Sequence, residues 1–158
     1  MSHVNNKKQS CFSVTAAFFM AMVFCSTALA QDSTSVRKGN YEVYYSVFNS
    51  SFLKPETAVA VGVKRAKNVA LINIAIIEHL PDGTTQASKA GVIKGTAFNL
   101  VHKNTLDFQE IVEPGAVYYL AKFKISNDNE KIVIKAAVKP ENSQQVIDVD
   151  FEHHFYLN

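Results

Sequence analysis

Nine residues constrain this chain more than any others: Val69 to Ile77, VALINIAII. The run is β-branched and apolar on both faces, with Asn73 as its only polar member. Its length and composition predict a central strand covered on both sides. A charged link, Lys64-Arg65-Ala66-Lys67, precedes it, and Leu80-Pro81-Asp82-Gly83 closes it. In that closing turn proline presets φ and glycine takes the positive φ.

The wider stretch Phe48–Ile77 organises the chain. Before it, Tyr41 to Phe48 alternates, with Tyr41, Val43, Tyr45 and Val47 on one face of a strand. A polar corner, Asn49-Ser50-Ser51, follows. Pro55 suits the first helical position and Glu56 complements the positive helix end. A short helix ending at Gly62, or a loop in its place, then crosses over to Val69.

Downstream, strands alternate with turn signals. A strand is expected from Gln86 to Val101, broken by Gly91 or Gly95. Lys103-Asn104-Thr105 reads as a turn, and Leu106 to Val112 alternates only in part. Pro114-Gly115 reads as a type II turn, and Asn127-Asp128-Asn129 as another. Inward faces are predicted at Val117, Tyr119, Ala121, Phe123 and Ile125, and again at Ile132, Ile134, Ala136 and Val138. The cleanest period-2 pattern comes last. Ile147, Val149, Phe151, His153, Phe155 and Leu157 share one face, and Asp148, Asp150, Glu152, His154 and Tyr156 the other.

About seven strands with regular turns predict an all-β fold, an antiparallel immunoglobulin-like β-sandwich, with a small barrel as the second choice. No long helical period supports a parallel βαβ plan.

The first thirty residues have a different purpose. Lys7 and Lys8 form a positive start, Phe12 to Cys25 an apolar segment, and Ala28-Leu29-Ala30 a cleavage site. Residues 1–30 therefore read as a signal peptide cut after Ala30, too short in its apolar part for a comfortable membrane span. Residues 31–39 read as a flexible leader, and 40–158 as one domain. The expected destination is the bacterial periplasm, with no transmembrane segment after cleavage.

Export alters the composition. Both cysteines, Cys11 and Cys25, leave with the signal, so neither a disulfide nor a thiolate metal site is expected. The formal net charge of +2 rests on Lys7 and Lys8. Without them the charges balance, which argues against nucleic acid as a partner.

Several residues of the organising stretch, with others downstream, carry a resemblance. Tyr41-Glu42-Val43, Phe48 to Leu53, Pro55-Glu56, Gly62, Lys64 to Asn68 and Asn73 lead it. Tyr118-Tyr119 and Phe151 to Tyr156 complete it. With these the chain resembles a family of small exported proteobacterial proteins known only as a domain of unknown function. The resemblance implies a bacterial, exported, sandwich-like single domain. It supplies no catalytic residues.

The chemistry is sparse. No Gly-rich phosphate loop, HExxH, GxSxG or paired CxxC is present. No cofactor is expected. A binding or interaction module without a catalytic site is the leading reading, its partner a periplasmic protein or envelope component. Its candidate recognition surface is Asn49, Ser50, Lys64, Arg65, Lys67, Asn68 and Asn73. The basic members suit an acidic partner, a phosphate or an anionic lipid headgroup. Asn73 is expected to pair with the Asn49-Ser50-Ser51 corner or a backbone group, or else to line a pocket. The alternative is a metal-dependent enzyme or metal-binding protein using Asp148, Asp150, Glu152 and His154, which point the same way from one strand. Against it, those acids have Lys131, Lys135 or Lys139 as neighbours on an adjoining strand.

Overall fold

A computed structural model describes residues 34–157. The signal segment 1–30 lies outside the described residues. Strands β1 (Thr34–Lys38) and β2 (Tyr41–Asn49) lead into a 3-10 turn at Ser50–Phe52 and helix α1 (Pro55–Ala60). Then come β3 (Val69–His79), β4 (Thr85–Ser88), β5 (Ala90–Phe98) and β6 (Lys103–Leu106). The last four are β7 (Gln109–Glu113), β8 (Ala116–Lys124), β9 (Glu130–Pro140) and β10 (Ile147–Phe155).

The strands form two antiparallel sheets. One has the order β1-β2-β3-β8-β7, with β4 pairing the far end of β3 beyond β8. The other has the order β10-β9-β5-β6. No strand pairing joins them among the described residues, so the small-barrel alternative does not form.

The inner faces meet in one apolar core. β2 gives Val43 and Tyr45, β3 gives Ala70, Ile72, Ile74 and Ile76, and β8 gives Tyr119, Ala121 and Phe123. Across from them stand Ile134, Ala136 and Val138 of β9 and Ile147 and Val149 of β10. Tyr45 stacks on Phe151 with ring centroids 4.6 Å apart, which joins the sheets at one side. These are the faces that alternation predicted.

β3 is central, as expected, and α1 is its outer cover. Val61, beyond the helix, packs with Leu71 and Leu120 in a second cluster on the outer face, with Phe48, Leu53, Val63 and Ile111 around it. The cover is partial: Ala75 and Ile77 on that face stay half-buried.

Four expectations are corrected. The described residues form ten strands, not about seven. Residues 34–38, expected within a flexible leader, form β1; an edge strand held by backbone bonds to β2 needs no apolar pattern to show itself. The strand expected from Gln86 to Val101 divides at Lys89, where β4 leaves for one sheet and β5 joins the other. A pairing irregularity between Ala90 and Val92 coincides with the expected break at Gly91. Finally, Lys103-Asn104-Thr105 is strand, and the chain reverses just before it. Asn99 imitates a turn there, its Oδ1 accepting from the Val101 N–H at 2.8 Å and the His102 N–H at 2.5 Å.

Candidate functional site

The Asn49-Ser50-Ser51 corner is a fastening, not a contact surface. Asn49 and Ser50 are buried. Ser50 Oγ accepts from the Ala66 N–H at 3.0 Å and lies 3.0 Å from the Ala66 carbonyl and 3.2 Å from that of Lys64. Asn49 donates from Nδ2 to the Lys67 carbonyl, and its Oδ1 accepts from the Ser51 N–H at 2.9 Å and Oγ at 2.6 Å. Arg65 closes the arrangement by donating to the Ser51 carbonyl at 3.0 Å. The corner satisfies the backbone of the basic link and holds it still. Lys64, Arg65, Lys67 and Asn68 remain exposed. The candidate surface therefore divides: Asn49 and Ser50 lie behind it, and the basic link on it.

Two of the three acids in the β10 stripe, Asp150 and Glu152, are paired. Lys135 Nζ lies 2.8 Å from Asp150, and Lys131 Nζ lies 2.6 Å from Glu152. His154 Nδ1 lies 3.1 Å from Asn129 Oδ1. Among the described residues, no three or more His, Cys, Asp or Glu side chains converge as a metal would require. A straight strand spaces its side chains too evenly to wrap a cation. His153, on the inner face of β10, sits at the rim with its ring edge-on to Phe155. Burial pushes its pKa down, and the neighbouring His154 adds to that.

Asn73 is where sequence and structure meet most usefully. It pairs in register with Ser46 of β2 and Leu120 of β8, on the outer face of the six-stranded sheet. It does not reach the Asn49 corner. Its Oδ1 is buried and accepts no hydrogen bond among the described residues. Asn73 itself lines a groove of about 440 Å³ between α1 and the sheet. Phe48, Leu53, Val61, Ile111 and Leu120 make its walls apolar. Glu56 and Thr57 of α1 stand on one side, and Glu113 and Tyr118 of β7 and β8 on the other. The Glu113 carboxylate, hydrogen-bonded to the Tyr118 hydroxyl, pushes the phenol pKa up to about 12 together with burial and the negative charge. Tyr118 therefore stays a neutral hydroxyl at any ordinary pH. The volume suits a small ligand or one or two peptide side chains. Apolar walls with one buried acceptor select an apolar group carrying an N–H or O–H donor.

A larger hollow, about 680 Å³, lies on the other sheet over Gly95, Thr96 and Ala137. It is wide because these side chains are small, and two of its charges, Lys135 and Asp150, already pair with each other.

Sequence reading missed two polar devices. Tyr119, an inner-face residue, sends its hydroxyl to Glu110 at 2.7 Å and accepts from the Ala90 N–H at 2.8 Å, which secures the start of β5. Glu130 is buried, and its carboxylate accepts from the Ser126 N–H at 2.5 Å, the Asn127 N–H at 3.2 Å and Asn99 Nδ2. Burial alone would raise its pKa, but these donors outweigh it and hold the carboxyl below its ordinary value. Glu130 opens β9 beside the predicted Asn127-Asp128-Asn129 turn, so an acid at that position was the available signal.

A model of the family described as a domain of unknown function, DUF4426, matches residues 35–158. The chain belongs to the DUF4426 family. A solved DUF4426 family protein, PA0388 from Pseudomonas aeruginosa PAO1, is 33% identical, with 80% of this chain and 97% of that one covered and a TM-score of 0.67. FetP of uropathogenic E. coli strain F11, recombinantly expressed in the periplasm of E. coli, is 16% identical. That comparison covers 78% of this chain and 93% of FetP at a TM-score of 0.51, a likeness of fold alone. No curated protein matches the chain. The DUF4426 match takes in the groove, the basic link and β10 alike.

Proposed function

We propose that this DUF4426 chain is a non-enzymatic binding domain of the bacterial periplasm, and that its ligand lies in the groove floored by Asn73. The observation that carries the reading is Asn73, which lines an apolar groove and whose buried Oδ1 has no donor among the described residues. A buried polar atom left unpaired costs roughly 1–3 kcal/mol, a cost that a bound N–H or O–H removes. Glu56 and Glu113 at the rim favour a donor carrying positive charge, such as an amine or a basic peptide segment. Export rests on the leader 1–30, and a relative of similar fold has been produced in the periplasm.

An immunoglobulin-like sandwich is part of the same reading. The order β2-β3-β8-β7 against β10-β9-β5-β6 supports it, because it reproduces the A-B-E-D and G-F-C-C′ sequence of strands in that fold. β1 then adds an edge strand. In such folds the sheets serve as a frame and recognition varies at their faces and loops.

The test is site-specific photocrosslinking in cells. A benzophenone side chain at Thr57, on the groove, should capture a defined periplasmic partner, and Asn73→Ala should abolish the adduct. The same group at Val92, on the opposite sheet, should not capture it. Identical adducts from both positions, or none from Thr57, would remove the groove from consideration.

A further inference from the structure

Three connections meet at one end of the molecule. They are the 61–68 link into β3, the 99–102 reversal between β5 and β6, and the 125–129 connection from β8 to β9. Strand register places them together. Val69 faces Lys124, Phe98 faces both Lys103 and Val133, and Glu130 faces Phe155. Thr105 of β6 and Lys122 of β8 line one hollow with Val63, so the hairpin and the link share an edge.

Apolar side chains project from this end. Leu100 is fully exposed, Val101 is 79% exposed, and Phe52, beside the link, is 80% exposed. Their backbones are fastened. Asn99 accepts from the N–H groups of Val101 and His102 and is itself held by the buried Glu130. Arg65 bonds to the Ser51 carbonyl next to Phe52. Side-chain hydrogen bonds to the backbone thus fasten the segments that hold three apolar groups out in water.

The charges of this end are uneven. Lys64, Arg65, Lys67, Lys103 and Lys124 form no ion pair among the described residues. Most of its acids are engaged; Asp107, exposed on the hollow of Thr105 and Lys122, is the exception. Glu130 is buried in its network, Glu152 pairs with Lys131, and Asp128 accepts from the Leu157 N–H at 2.8 Å. The opposite end is mixed, with Asp82 and Glu141 against Lys38 and Lys139.

We propose that this end docks on an anionic phospholipid surface, with Phe52, Leu100 and Val101 entering the interfacial layer and the unpaired cations meeting headgroup phosphates. Separate apolar points among flexible lysines suit a fluid layer. A protein partner would need a continuous patch of about 800 Å² with central anchors. The uneven charge orients the molecule, because only this end is attracted. The proposal is independent of the Asn73 groove.

The mature chain, residues 31–158, should co-sediment with vesicles of phosphatidylglycerol and phosphatidylcholine, and not with phosphatidylcholine alone. Leu100→Ser with Val101→Ser should weaken partition at least tenfold; these residues are exposed, so circular dichroism should stay unchanged. Each of Lys64→Gln, Arg65→Gln and Lys67→Gln should cost roughly fivefold at low salt. Phe52→Ser is a second probe on the other projection, and Asn73→Ala should bind vesicles normally. Equal binding to neutral vesicles, or partition unchanged in the Leu100/Val101 variant, would overturn the proposal. So would a dimer on sizing that this variant dissolves, since the tip would then be a contact between copies.

Discussion

Single residues separate structural cost from function in this protein. Asn73 carries a buried acceptor without a partner, so an apolar residue of the same size removes a penalty. Asn73→Leu is expected to raise stability by about 1 kcal/mol in urea denaturation while abolishing capture at the groove. A loss of stability would mean that the amide is structural. Ser50 is the opposite case. Its hydroxyl is buried and serves both the N–H of Ala66 and carbonyls of the link. Ser50→Ala should cost roughly 2 kcal/mol and speed hydrogen exchange at residues 64–67. Two acids give the fold its acid limit. Glu42, bonded to Ser35 Oγ at 2.7 Å and to His79 at 2.8 Å, is held below its ordinary pKa of 4.5, as is Glu130. A carboxyl whose folded pKa is lowered adds stability above its unfolded pKa and loses it as pH falls through the folded value. The urea midpoint should therefore hold above about pH 5 and decline below it, and Glu130→Gln should flatten that decline.

Elements differ in how far they could be read in advance. β2, β8, β9 and β10 were legible because each puts one apolar face into a shared core, and period 2 records that. α1 was legible from Pro55 and Gly62, the latter at φ +65°. The segment 85–113 was not. Three of its four strands, β4, β6 and β7, are four or five residues long and held by backbone pairing more than by burial, and β5 is paired on both sides but carries little alternation. Asn73 was visible as an anomaly, but its lack of a partner depends on where α1 comes to rest. Within β5, Gly95 is buried where a methyl group would lie 3.1 Å from Leu106 and from Phe108, and 3.2 Å from the Lys135 carbonyl. Gly95→Ala should cost roughly 1–3 kcal/mol by thermal denaturation, because the backbone carbonyl cannot retreat. On β10 the ion pairs are exposed. Asp150→Asn should change stability by less than about 1 kcal/mol, and divalent cations should not shift the melting temperature.

At the scale of the molecule, two sheets divide the work. The four-stranded sheet closes the core and pairs Lys131 with Glu152 and Lys135 with Asp150 on its outer face. The six-stranded sheet carries the groove on its outer face and, with the neighbouring hairpin, the basic end. β3 sits at the centre of this plan, and its pairings set the order of assembly. β2 precedes it directly, but β8, its partner along Val69–Ala75, is made only after β4 to β7. Until β8 arrives, the most apolar strand of the chain has one edge open to any other extended chain. Non-local pairing of this kind is slow to form and prone to aggregate. A polar residue in such a run acts as a gatekeeper against self-association. Asn73 is that residue, so the change that makes the folded domain more stable should also make the newly made chain harder to keep soluble.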